Sequence, residues 1–120
     1  MLRILCKSKI KKGCVTDKKL HYEGSIGIDK TILDAVDILP GEQVQVLNVN
    51  NGERFTTYAI EEEENSGKII LYGPAARRGE VGDALVILSY CLAENKESRN
   101  LKMNVIALGE GNLYTKKTVR

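Results

Sequence analysis

The sequence predicts a small, mainly β protein closed into a barrel, with one or two short helices. Three observations carry that expectation: β-branched residues recur in short runs along the chain, Gly-, Asn- and Pro-bearing turns separate the runs, and one segment alone shows clear helical spacing. Closure follows because roughly six strands in so short a chain would otherwise leave long unpaired edges.

Leu2 to Ile10 and Gly13 to Leu20 mix β-branched residues with Lys, which predicts two strands with one exposed face, meeting through a Lys11-Lys12-Gly13 turn. From Asp29, a candidate N-cap, Ile32, Leu33, Val36 and Leu39 follow helical spacing until Pro40-Gly41 ends the run. GEQVQVLNV then alternates, Asn50-Asn51-Gly52 accepts positive φ, and ERFTTYAI resumes the extended pattern, so a β-hairpin is expected. A second turn at Glu64-Asn65-Ser66-Gly67 leads into KIILY, followed by the small residues Gly73-Pro74-Ala75-Ala76. Gly79 to Asp83 leads into ALVILSYCL, whose nearly continuous apolar character predicts a strand covered on both faces. NLKMNVIALGEG adds one more strand, and NLYTKKTVR is expected to be frayed or docked on a neighbour.

The length of 120 residues predicts a single domain. A net charge of +2, with 18 basic and 16 acidic residues interspersed, argues against a polyanion partner, as do five Tyr, one Phe and no Trp for base stacking. Cys6, Cys14 and Cys91 lack metal-site spacing and disulfide density, which favours thiols packed as small hydrophobes in a reducing, cytoplasmic compartment. The apolar stretch near Met1 falls far short of the ~18 residues a membrane span requires, so a soluble protein mature from Met1 is expected. A single His excludes paired-imidazole metal sites; no Gly-rich phosphate loop or GxSxG elbow is present, and Glu61 to Glu64 reads as a solvated turn.

Chemistry enters at Leu20-His21-Tyr22-Glu23-Gly24-Ser25. This stretch resembles the bacterial aspartate 1-decarboxylase family, as do IDKTILDAVDILPGEQVQVLNVNNGERFTTYAI and YGPAARRGEVGDALVILSY in the same order. A serine hydroxyl against the preceding carbonyl can turn that peptide into an ester, elimination gives dehydroalanine, and hydrolysis leaves a pyruvoyl group. Glycine before the serine helps because it lacks a Cβ that would block the approach, and the developing oxyanion needs donors already in place. The product would be residues 1–24 and 25–120, the second fragment carrying a covalent carbonyl that does the work of a pyridoxal cofactor with no metal.

The resemblance implies further roles: Thr57 in processing and substrate binding, Arg54 as a fork for a substrate carboxylate, Lys9 near the substrate, Tyr58 as proton donor, and Gly73, Pro74 and Ala75 as a close-approach, substrate-binding loop. His21 and Tyr22 receive no catalytic role. It also implies a double-psi β-barrel, a homotetramer with sites between subunits, and conversion of L-aspartate to β-alanine and carbon dioxide for pantothenate and coenzyme A synthesis. Whether a maturation factor assists cleavage is left open. Tyr72 and Pro74 depart from the family's usual Asn and Ala, and proline removes an N–H, which keeps a pyruvoyl decarboxylase for another amino acid as an alternative. A non-catalytic binding barrel is the alternative from another class. Regular alternation puts Thr57 and Tyr58 on opposite faces, so one site can use both only through a bulge or a neighbouring subunit.

Overall fold

The computed structural model describes residues 1–120, apart from the side chain of Thr115. Nine strands form one sheet: β1 (Leu2–Cys14), β2 (Asp17–Lys19), β3 (Ser25–Asp29), β4 (Gln43–Asn48), β5 (Arg54–Glu62), β6 (Ile69–Tyr72), β7 (Ala84–Glu94), β8 (Asn104–Leu108) and β9 (Tyr114–Val119). Two short helices, α1 (Lys30–Val36) and α2 (Asn95–Ser98), and 3-10 turns at Gly73–Arg77 and Glu110–Asn112 complete it. The strand order is β2-β6-β3-β5-β4-β7-β1-β8-β9. These hydrogen-bonded ladders do not form a closed circle. Instead β2 follows β1 after only Val15 and Thr16, and Thr16 bonds Ile69 through both its N–H and its hydroxyl, so the chain itself links β1, third from one end of the order, to β2 and β6 at the other.

The expected hairpin is β4–β5, paired from Gln43↔Tyr58 to Leu47↔Arg54 around a turn with Gly52 at φ +76°. Side chains from both halves of the chain, including Ile10, Ile26, Ile28, Leu71, Leu85, Ile87 and Ile106, fill the core, and α1 adds Ile32, Leu33 and Val36. The Asp29 side chain caps α1 by accepting from Thr31 N.

Five expectations are corrected. Lys11-Lys12-Gly13 is no turn: β1 runs straight through it with a bulge, since between the Ile10↔Ile87 and Gly13↔Leu85 pairs two residues, Lys11 and Lys12, face only Val86, and Lys12 sits at φ 59°. Leu39 lies outside the helix and is exposed, because Asp37 turns left-handed at φ 57° and its N–H closes back on Asp34 O and Leu33 O. β7 is covered fully on one face only: Leu85, Ile87 and Ser89 are buried whereas Val86 and Leu88 are half-buried. The tail is not frayed, because β9 pairs antiparallel with β8, and buried Asn112 ties it down by bonding both the N–H and C=O of Cys14 and the C=O of Gly67. Cys14 is exposed rather than packed as a hydrophobe, and Cys6 and Cys91 are half-buried.

Candidate active site

β3 lies between β5, its parallel neighbour, and β6, its antiparallel one, and all five of its residues are buried. Ser25 therefore enters the interior at the strand's first position, 1% exposed, and its Oγ has no hydrogen-bond partner. Leaving a buried hydroxyl unpaired costs about 1–3 kcal/mol, an expense that folding alone gives no reason to retain.

Beside it, a cavity of about 270 Å³ is lined by Gly24, Phe55, Thr56, Thr57, Pro74, Ala75 and Arg78. β6 ends at Tyr72, opposite Ser25, so the 3-10 turn that follows is delivered to the Gly24-Ser25 junction. Gly73 adopts φ +64°, and a Cβ there would fall 2.3 Å from Tyr22 O and 3.0 Å from Gly24 N. Only glycine lets the two backbones meet so closely. A Cβ on Gly24 would in turn meet Pro74 Cδ at 3.4 Å, so the pyrrolidine ring walls the cavity directly against Gly24.

Of the residues expected in the site, Gly24, Thr57, Pro74 and Ala75 line this cavity, with Ser25 and Gly73 buried alongside. Lys9, Arg54 and Tyr58 do not line it. Lys9 sits on β1 between Leu88 and Val105 of the neighbouring strands. Along β5, Arg54, Thr56 and Tyr58 are exposed whereas Phe55 and Thr57 are half-buried and Ala59 is buried. The β4–β5 register is unbroken through Thr57 and Tyr58, so no bulge brings these two side chains to one face of this chain. Arg54 leans out towards Gln45, its Nη2 3.5 Å from Oε1, at the rim of a larger outer groove of about 460 Å³ that includes Ile4, Gln45, Thr56, Tyr90 and Leu92. The two hollows share Thr56.

Two features escaped the sequence reading. Arg78 reaches the cavity while its Nη1 holds Glu53 Oε2 at 2.7 Å and its carbonyl accepts from Asn48 and Asn51; the Arg77-Arg78 pair was the available signal, but nothing local says which of the two turns inward. Within the acidic run, Glu61, Glu63 and Glu64 are solvated as expected, but Glu62 is half-buried and accepts the Tyr72 hydroxyl at 2.8 Å. Burial, together with the Glu62 carboxylate, pushes the Tyr72 phenol well above its ordinary range, so it stays protonated and donates. Away from the site, burial acts to raise the Glu42 carboxyl, but hydrogen bonds from Ser89, Leu39 N and Lys7 outweigh it and hold the group below its ordinary value. Among the described residues no cluster of three or more His, Cys, Asp or Glu is arranged to hold a metal ion. Among the described residues no helix is long and apolar enough to cross a membrane.

Comparison with known proteins adds an independent finding. The family model described as aspartate decarboxylase matches residues 1–115. Aspartate 1-decarboxylase of Thermoanaerobacter pseudethanolicus is 52% identical over 112 residues, covering 93% of this chain and 96% of that protein. The enzyme of the same name from Caulobacter vibrioides is 47% identical over 116 residues, 97% of this chain and 98% of that one, and that from Kosmotoga olearia is 52% identical over 103 residues, 86% and 90%. Among solved structures, the rationally designed mkDPBB_sym_86 protein matches with a TM-score of 0.45 at 15% identity, over 70% of this chain and 95% of its own.

Proposed function

Since the chain belongs to the aspartate decarboxylase family, we propose that it converts L-aspartate to β-alanine and carbon dioxide, using a pyruvoyl group made from its own Ser25. The observation that carries the self-processing part is the buried Ser25 Oγ, which no neighbour holds. A hydroxyl without a partner has its lone pairs free for the adjacent Gly24 carbonyl carbon. Attack forms the Oγ–C bond and breaks the Gly24–Ser25 C–N bond, giving an ester with a free Ser25 amine. Loss of the Ser25 Cα proton expels the Gly24 carboxylate and leaves dehydroalanine; water then adds and ammonia departs. The fragments are residues 1–24 and 25–120.

Thr57, half-buried in the same cavity as Gly24, is assigned the task of donating to the oxyanion that develops on the Gly24 carbonyl. Gly73, Pro74 and Ala75 hold the junction by close backbone approach. The residues around Ser25 suit the group it would become, for the hydroxyl needs no bond broken before it reacts, and the pocket beside it admits a small substrate. A pyruvoyl carbonyl supplies an electrophile for an amine and an electron sink for a departing carboxylate.

The remaining roles belong to side chains on the outer face. Arg54 provides a bidentate guanidinium for the substrate carboxylate that is retained, Lys9 adds positive charge near the substrate, and Tyr58 Oη holds the proton that replaces carbon dioxide. Because Thr57 and Tyr58 face opposite ways with no bulge between them, the reading takes Arg54, Lys9 and Tyr58 from a neighbouring copy in a homotetramer. The exposed apolar residues Leu2, Ile4, Tyr90 and Leu92 on the outer face support such an assembly. The β-alanine would serve pantothenate and coenzyme A synthesis in the cytoplasm.

Intact-mass measurement of purified protein held warm tests the reading. Two fragments split at Gly24-Ser25, together with carbon dioxide release from aspartate, are expected. A chain that stays whole and turns over no aspartate would sink the proposal.

A further inference from the structure

Tyr72 stands across from Ser25 in the β3–β6 ladder, and opposed residues of an antiparallel pair project to the same face. Its ring lies against that of Tyr22, centroids 4.6 Å apart and planes tilted by 40°, while its hydroxyl donates to Glu62 Oε2 at 2.8 Å. Gly27 makes this arrangement fit: a Cβ there would fall 2.0 Å from Glu62 Oε2 and 2.9 Å from Tyr72 Cε2. Ring and carboxylate thus close over Gly27, two residues along the strand from Ser25.

Tyr22 is different in kind. It is 57% exposed and belongs to the segment between β2 and β3, which lies outside any strand or helix. That segment carries the Gly24 carbonyl. Its attack by Ser25 requires the carbonyl to be held in one orientation, and freedom in the segment reduces the share of molecules ready to react. Gly73 lies close against the segment's backbone, for a Cβ there would meet Tyr22 O and Gly24 N. The Tyr22 side chain is fixed by the Tyr72 ring, and that ring by Glu62.

We propose that Tyr72 is a positioning residue for self-cleavage: anchored by Glu62 across Gly27, its ring clamps Tyr22 and so orients the Gly24 carbonyl towards Ser25 Oγ. The proposal rests on reading Gly24-Ser25 as the bond that breaks. Burial and the neighbouring carboxylate keep the phenol protonated, so the anchor persists throughout the neutral range. Neither residue takes part in bond making; both act through the conformation of residues 22–24.

The test is the first-order cleavage rate of freshly purified full-length precursor, followed by intact mass. Tyr72→Phe keeps the ring and removes the anchoring hydroxyl, and a fall of about tenfold in rate is expected, within the range for losing a hydrogen bond to a charged group. Tyr22→Leu removes the clamped ring at an exposed position that the core does not need, and a similar fall is expected, whereas Tyr22→Phe restores the wild-type rate. Because both changes break one chain of contacts, the double variant Tyr72→Phe/Tyr22→Leu should cleave no more slowly than the slower single variant. If Tyr72→Phe fails to fold, Tyr22→Leu against Tyr22→Phe decides alone. Equal rates for wild type and Tyr22→Leu, or single-variant effects that multiply in the double, would overturn the positioning role while leaving the cleavage site standing. A wild-type precursor that never cleaves at 24/25 overturns the reading beneath it.

Discussion

The two ends of β3 make opposite use of a buried polar side chain. At one end Asp29, 2% exposed, accepts from the backbone N–H groups of Thr31, Asn65 and Gly67, so one carboxylate caps α1 and closes the turn before β6. At the other end Ser25 is buried as deeply and bonds nothing. Burial costs free energy at both ends, and only the Asp29 end returns it as hydrogen bonds. The contrast teaches where to look for chemistry: a satisfied buried group holds the fold together, and an unsatisfied one in the same strand is where the proposed reaction would begin.

Ser25→Ala should break this comparison most sharply. It is expected to abolish cleavage and decarboxylation together, by intact mass and carbon dioxide release, while urea unfolding shows stability unchanged or slightly raised, since an unpaired hydroxyl has gone. Lost stability would mean that Ser25 is a structural residue after all. Asp29→Ala should do the reverse and destabilise by about 3 kcal/mol, because three backbone donors lose a charged acceptor, with cleavage continuing in the folded fraction. Unchanged denaturation would remove Asp29 from the comparison.

Gly73→Ala probes the turn between these ends. A Cβ at φ +64° meeting Tyr22 O at 2.3 Å should cost about 2 kcal/mol and slow cleavage by displacing residues 22–24; wild-type rates would mean that the junction does not depend on that contact. The smallest effect concerns Glu42, whose carbonyl accepts from Ala59 N on β5. Its folded carboxyl lies below the ordinary value of 4.5, so its stabilising contribution is complete above about that pH and lost as pH falls through the lowered folded value. The urea midpoint of Glu42→Gln should therefore fall short of wild type near neutrality and converge with it in acid; a gap that persisted at low pH would contradict the assignment.

The hairpin, the Asp29 cap and the strands at KIILY and ALVILSYCL were legible because each is a local pattern: alternation, a turn residue, a capping side chain. Lys11-Lys12-Gly13 misled because a turn and a bulge both favour a residue at positive φ, and only the partner strand β7 distinguishes them. In the site, Gly24, Thr57, Pro74 and Ala75 line one cavity, and the roles the resemblance implies for them are what the cleavage and activity assays test. Glu62 was hidden in an acidic run whose other members face water, since its burial depends on a tyrosine ten residues later and on the missing side chain at Gly27.

By itself the sequence determined the β4–β5 hairpin, the Asp29 cap, most of the other strands and the Gly-Ser pair with its family context, all of which follow from residue chemistry within a few positions. Tertiary structure alone decided that β2 should leave β1 to pair with β6 at the far end of the strand order, that Ser25 should be buried without a partner, and that Tyr72 should stand opposite it on β6. The reason is range: propensity and periodicity act between near neighbours, whereas burial and pairing depend on segments that become neighbours only when the chain has folded.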